Sequence, residues 1–131
     1  MNAEDLRKLK HELRTPVNHI LGYSDLLLET ADDCGDATAA GLARNVRASG
    51  QMLAKLLEKS LMSPTGEMDE AQMEALRESV RPTVRHILDT LTSHSPSLAA
   101  ENSYSDDLDR IRRAANQLLA LLGTDRIAAA K

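Results

Sequence analysis

The sequence predicts an all-α protein: an antiparallel four-helix bundle made of two helical hairpins. Three observations carry that prediction. The 131 residues include no Phe, no Trp and only two Tyr, yet 42% are hydrophobic, so the apolar content is Leu, Ala, Met, Ile and Val. Sandwiches and barrels lean on aromatic and β-branched side chains, whereas an Ala/Leu-rich chain with 27% charged residues favours packed helices. Apolar residues also recur every three or four positions over four helix-length stretches separated by helix-poor clusters. At this length a compact fold buries about two-thirds of its unfolded surface, enough for one core.

The first helix is expected from about Ala3 to Glu29, with a seam of Leu6, Leu9, Leu13, Val17 (or Pro16), Ile20 and Leu27. The acidic run Thr30 to Thr38 should end it. The second, about Ala39 to Leu61, steps through Leu42, Val46, Ser49, Leu53 and Leu56. Ser63-Pro64-Thr65-Gly66 is a breaker cluster. The third, about Glu67 to Thr92, steps through Met73, Leu76, Val80, Val84, Ile87 and Leu91, and Glu67, Asp69 and Glu70 suit its positive N-terminal end. Ser93 to Asp106 holds Pro96 and Asn102 and reads as the next break. The fourth, about Asp106 to Gly123, steps through Leu108, Ile111, Ala115, Leu118 and Leu122.

The pattern is written twice. Leu42–Leu56 set against Leu108–Leu122 gives eight identities in fifteen positions, including Arg44/Arg110, Arg47/Arg113, Ala48/Ala114 and Gln51/Gln117. Leu9–Leu21 against Leu76–Leu88 gives six in thirteen, including Arg14/Arg81, Val17/Val84 and the His-Ile-Leu triplets at 19 and 86. Matched Arg, Gln and His point to duplication rather than to chance alignment of Leu-rich helices. Residues 1–63 and 64–131 then form two hairpins, each with an apolar stripe that only the other covers.

Charge and composition exclude several partners. The formal charge of −4 gives no net basic field for nucleic acid, and two Tyr make no base-stacking platform. The apolar runs are too short and too charged to insert in a membrane, and the first residues do not resemble a signal peptide. One cysteine, Cys34, allows no internal disulfide, which fits a reducing, cytoplasmic setting.

The first helix contains His11-Glu12-Leu13-Arg14-Thr15-Pro16-Val17-Asn18. With Leu6, Leu9 and Leu13 on the seam, His11 falls on the opposite face, unlike a core histidine. Pro16 removes a helical hydrogen bond and crowds the carbonyl of Glu12, at about 3 kcal/mol, so a bend is expected beside His11. A neutral imidazole is a nucleophile near neutral pH. An adjacent carboxylate can orient it or take its second proton. Thr15, one turn on, shares the His11 face and can hold a water.

HELRTPVN, followed by His19-Ile20-Leu21-Gly22-Tyr23-Ser24, resembles the H-box of sensor histidine kinases, in their dimerisation and histidine-phosphotransfer (DHp, HisKA) domain. The likeness is strong over the first helix and general over the second. It implies His11 as phosphoacceptor, Glu12 as the base assisting phosphorylation, Thr15 as the residue used in dephosphorylating a partner regulator, and Pro16 as a flexing point. It also implies a response-regulator receiver domain as partner, with Mg²⁺ on the receiver and no organic cofactor on this chain.

Two departures from the pattern shape the expectation. No Gly-rich or Asn-containing ATP-binding segment is present, so phosphoryl groups would come from a receiver aspartate or a kinase ATP-binding domain in trans. In the second copy His11 aligns with Glu78, Glu12 with Ser79 and Thr15 with Pro82, so the kink-forming proline persists one position early without the nucleophile. Family members obtain their bundle from two chains; this chain is expected to supply both hairpins itself and to be a monomer. The alternative is a non-catalytic DHp-like dimerisation, scaffold or signal-relay module of a larger regulatory protein. The helix-compatible Ala-Ala-Ala-Lys end is expected to reflect truncation or a linker to a further domain.

The remaining candidates read more simply. His19 and His86 are expected as packing or polar flank residues, and His94 lies near a break. The four His and Cys34 have no metal-ligand spacing. Arg44, Arg47, Arg110, Arg112 and Arg113 read as a solvated face with helical ion pairs, or else as an edge for an acidic receiver. Met52, Met62, Met68 and Met73 read as core filler.

Overall fold

A computed structural model describes residues 2–60, 67–98 and 102–123, and every regular element among them is helical. The four helices are α1 (Ala3–Cys34), α2 (Ala37–Ser60), α3 (Glu70–Leu98) and α4 (Asn102–Leu122). α1 packs on α2 and on α4, and α3 closes the ring by packing on the same two. Met62 and Ser63-Pro64-Thr65-Gly66 lie outside the described residues.

Local chemistry sets the helix ends. Asn2 caps α1 by accepting the Asp5 amide at 2.8 Å. α1 passes the expected stop at Glu29 and reaches Cys34. Gly35 then takes φ 67, which costs a residue without Cβ nothing, and turns the chain. Its amide donates to the Asp32 carbonyl at 3.2 Å and that of Asp36 to the Ala31 carbonyl at 2.8 Å, a Schellman closure. Asp36 Oδ1 then accepts the Ala39 amide at 3.0 Å, so the same residue caps α2. At α3, Asp69 and Gln72 exchange side-chain-to-amide bonds of 2.8 Å each, a reciprocal capping box. α3 also outruns its expected end at Thr92; His94 and Pro96 fall within its helical backbone.

The core follows the seams. All six seam residues of α3 and all five of α4 are buried, as are Leu6, Leu13, Val17, Ile20 and Leu27 of α1 and Leu42, Val46 and Leu53 of α2. Each buried Leu, Ile or Val contributes about 1.5–3 kcal/mol relative to exposure, which explains how weak helix formers at the ends are carried along. Leu9, Ser49 and Leu56 are half-buried, and Leu57 rather than Leu56 faces the core. Met68 and Met73 are core residues, but Met52 is 56% exposed and is not. Its position on α2 faces outward, one step from Leu53.

The two halves correspond in burial. Buried Leu6, Leu13, Val17, Ile20 and Ser24 of α1 fall 67 positions before Met73, Val80, Val84, Ile87 and Leu91 of α3, the shift at which the sequences match. For the return helices the burial register differs from the identity alignment by one. Ala39, Ala43, Val46, Gly50, Leu53 and Leu57 lie 65 positions before Tyr104, Leu108, Ile111, Ala115, Leu118 and Leu122, all buried. Arg44 and Arg110, paired by identity at a shift of 66, therefore do not occupy equivalent places.

Candidate functional site

α1 carries the expected site. His11 and Thr15 are exposed on one face a turn apart, Glu12 is half-buried between that face and the core, and Pro16 is buried. The helix runs unbroken through Pro16, and α3 through exposed Pro82. Neither ring nitrogen of His11 is engaged by any described residue. The imidazole is thus open to a reagent arriving from solvent, and a hydroxyl stands one turn away.

The surroundings of this face differ on its two sides. Toward α2, a groove of about 470 Å³ is floored by Leu13, Val17 and Leu57 and rimmed by Lys10, Arg14 and Asn18. Toward α4, the His19 ring lies 5.8 Å from that of Tyr23, and the Arg110 guanidinium sits 5.2 Å over the Tyr23 ring. A cation held on an aromatic face contributes about 0.5–1 kcal/mol at an exposed site, so this stack helps fix α4 beside the H-box. His19 is therefore a flank residue with a ring partner, and the i, i+4 spacing of His19 and Tyr23 was the available signal. His86 is likewise exposed and lies 3.1 Å from Asn45 Oδ1, bridging α3 to α2.

The arginines of the return helices are mostly engaged within the bundle. Arg47 pairs with Asp25 at 2.9 Å and Arg44 with Asp32 at 3.8 Å, linking α2 to α1 rather than one helical turn to the next. Arg113 pairs with Asp109 at 3.0 Å along α4. Cys34 is exposed and free. Among the described residues no three metal-ligating side chains come together, and no helix is long and apolar enough to cross a membrane.

An exposed histidine followed by a carboxylate, a hydroxyl one turn on and a buried proline, all on the leading helix of a hairpin, is the arrangement found here. Residues 3–69 match the family described as the His Kinase A (phospho-acceptor) domain. The chain belongs to that family. The match to the HisKA domain ends where α3 begins, so it spans the first hairpin. Similar curated proteins include Histidine kinase 3 of Arabidopsis thaliana, 29% identical over 99 residues that make up 76% of this chain and 9% of that protein. Probable histidine kinase 5 of Oryza sativa subsp. japonica is 30% identical over 125 residues, 95% of this chain and 9% of the relative. Non-motile and phage-resistance protein of Caulobacter vibrioides is 31% identical over 88 residues, 66% of this chain and 10% of its own length. The chain thus spans about a tenth of the curated relatives it matches. No solved structure matches it.

The HisKA membership and the histidine-kinase relatives make this a DHp module of two-component signalling. In the second hairpin the corresponding face carries exposed Glu78, Ser79 and Pro82. A shallow apolar groove of about 370 Å³ there includes Met52, Thr83 and His86, and Glu78 rather than an imidazole stands in the place of His11.

Proposed function

We propose that His11 accepts a phosphoryl group from the aspartyl phosphate of a response-regulator receiver domain, or from a kinase ATP-binding domain acting in trans, and passes it to a receiver aspartate. The observation that carries this reading is the unengaged, solvent-facing imidazole of His11 within the HELRTP run of a HisKA hairpin. In the step from a receiver, a ring nitrogen attacks phosphorus, the P–O bond to the aspartate breaks, its carboxylate leaves, and a P–N bond forms. The ring proton passes to Glu12 or to water. Mg²⁺ belongs to the receiver, and this chain needs no organic cofactor of its own. Thr15 holds the water used when a receiver is dephosphorylated.

The second hairpin takes the place of the partner chain. Glu78 has no imidazole to form a phosphohistidine, so one bundle carries one histidine acceptor, and the protein is a cytoplasmic monomer with a pseudo-dimeric bundle. Incubation with a phosphorylated receiver or a kinase ATP-binding domain should yield acid-labile, base-stable label that His11→Gln abolishes. Light scattering should give the monomer mass. Absence of label with both donors would leave the alternative, a non-catalytic DHp-like scaffold or relay module, which the loss of the second H-box also suits.

A further inference from the structure

The two hairpins provide an internal comparison for the H-box, since α1 and α3 superpose their buried residues at a shift of 67. At the place of His11, α3 has Glu78, and Arg81, three residues on, holds it at 3.4 Å. Arg14 stands to His11 as Arg81 stands to Glu78. Residues three and four apart on a helix have Cβ atoms about 5–6 Å apart, so His11 is neighboured by Arg7, Lys8, Arg14 and Thr15. The corresponding neighbours of Glu78 are Glu74, Ala75, Arg81 and Pro82. Three cations surround the histidine where its counterpart has one cation and one carboxylate.

These three cations are exposed, and none is within ion-pair distance of a described carboxylate. Among the described residues Arg44, Arg47, Arg77, Arg81 and Arg113 are paired, while Lys10, Lys55, Lys59 and Arg85 also lack an ion pair; what sets the three apart is that each lies one turn from His11. Arg7 and Lys8, one turn before His11, and Arg14, one turn after it, repel one another, a repulsion offset in part by Glu4 and Glu12, four residues to either side of Lys8. A phosphoryl group brings close to two negative charges and three acceptor oxygens, and would convert that repulsion into attraction.

From this geometry we infer that Arg7, Lys8 and Arg14 form a cationic collar that stabilises the phosphoryl group on His11, with Arg14 in the place Arg81 occupies beside Glu78. The collar residues are positioning groups; they carry no part of the bond making. The inference rests on His11 as the phosphorylated residue, but not on which partner supplies the group.

The test therefore uses a donor that needs no partner. Phosphoramidate phosphorylates an imidazole directly: the ring nitrogen attacks phosphorus, the donor's P–N bond breaks, and ammonia leaves with the proton. His11→Gln, labelled in parallel, subtracts label on His19, His86 and His94. Phosphorylated wild type should unfold at a higher urea concentration than unmodified protein, by roughly 0.3 M at low salt, with the rise shrinking as salt is added. The R7Q/K8Q/R14Q variant should fold normally, because all three side chains are exposed, yet show no rise on labelling at His11. Restoring Lys at position 14 in that variant should return part of it. With a phosphorylated receiver, the same variant should hold roughly tenfold less of the phosphoryl group at equilibrium than wild type. Equal urea shifts in wild type and triple variant overturn the collar while leaving His11 as acceptor. A collar-dependent shift with phosphoramidate, but no exchange with any receiver, supports the collar and sinks the receiver reading instead.

Discussion

The buried hydroxyl of Tyr104, at the start of α4, donates a 3.0 Å hydrogen bond to Asp36 Oδ2 in the turn between α1 and α2. Burial, and then the Asp36 carboxylate, push the Tyr104 pKa from 10.0 up to about 12. The folded state therefore favours the neutral phenol. Its contribution to stability is complete below pH 10.0, falls as the pH rises toward about 12, and is gone above that. Urea midpoints of wild type should drop across this window more steeply than those of Tyr104→Phe. Phenolate absorbance should show a component titrating near 12 that the variant lacks. Its presence in Tyr104→Phe would refute the assignment.

Asp36 has a second duty, since its Oδ1 caps α2 through the Ala39 amide at 3.0 Å. Asp36→Ala should cost about 1 kcal/mol for the cap alone, and more because the Tyr104 hydroxyl loses its acceptor. Asp36→Asn keeps one acceptor oxygen for the cap, and its NH2 can donate to the Tyr104 oxygen instead, so it should lose less. Equal losses for the two variants in chemical denaturation would show that charge, not capping geometry, matters there.

Arg77 closes the opposite end of the bundle. Its Nε donates to the Leu122 carbonyl at 2.6 Å, one of the last carbonyls of α4, while Nη1 reaches Glu70 and Glu74 at 3.1 Å each. A charged donor on a helix-terminal carbonyl contributes about 1.5–3 kcal/mol, whereas exposed ion pairs contribute little. Arg77→Met should thus destabilise by about 1–2 kcal/mol and speed amide exchange in the last turn of α4. Glu70→Gln and Glu74→Gln should each shift stability by a few tenths of a kcal/mol. Larger effects from the glutamates would reverse that ranking.

Gly50 marks a close approach of α2 to α1. A Cβ there would lie 3.0 Å from Ile20 Cγ2 and 3.0 Å from Leu21 Cδ2. In a helix interior Ala is favoured over Gly by about 1 kcal/mol, but here the new methyl must push two side chains aside. The two effects nearly cancel, so Gly50→Ala should be close to neutral. Gly50→Val, with two more carbons at the same spot, should destabilise by about 1–3 kcal/mol. A stability for Gly50→Val equal to wild type in urea denaturation would mean that the helices part without cost.

The seams of α3 and α4 were legible because every apolar position in the pattern of threes and fours is buried. Helix ends were not. Asp32 and Asp33 read as a stop, but Ala31 packs in the core and Gly35 closes the helix beyond them, so tertiary burial and capping overrode propensity. Identity misplaced α4 against α2 by one residue, because surface Arg and Gln dominated the match while the core register is carried by Gly50/Ala115 and Leu57/Leu122. His11, Thr15 and Pro16 stand where their spacing put them. The Tyr104–Asp36 and Arg77–Leu122 links join residues 68 and 45 positions apart, and no local pattern encodes such contacts.

Pro16 sets backbone cost against burial, and the magnitudes decide the sign. Lacking an N–H, it leaves the Glu12 carbonyl without its helical donor, and proline in a helix interior is about 3 kcal/mol less favourable than Ala. The ring is buried, however, so Pro16→Ala removes two methylenes from the core at about 0.8 kcal/mol each. The backbone term wins, and Pro16→Ala should be more stable than wild type by about 1–1.5 kcal/mol, roughly 4–6 °C in Tm for a chain this size. A proline placed against that gradient beside His11 points to a use other than stability. If the use is flexing of α1 during transfer, Pro16→Ala should exchange phosphoryl groups with a receiver more slowly while melting later. A variant that melts earlier than wild type would show that ring packing outweighs the missing hydrogen bond, and the argument for a functional bend would lose its basis.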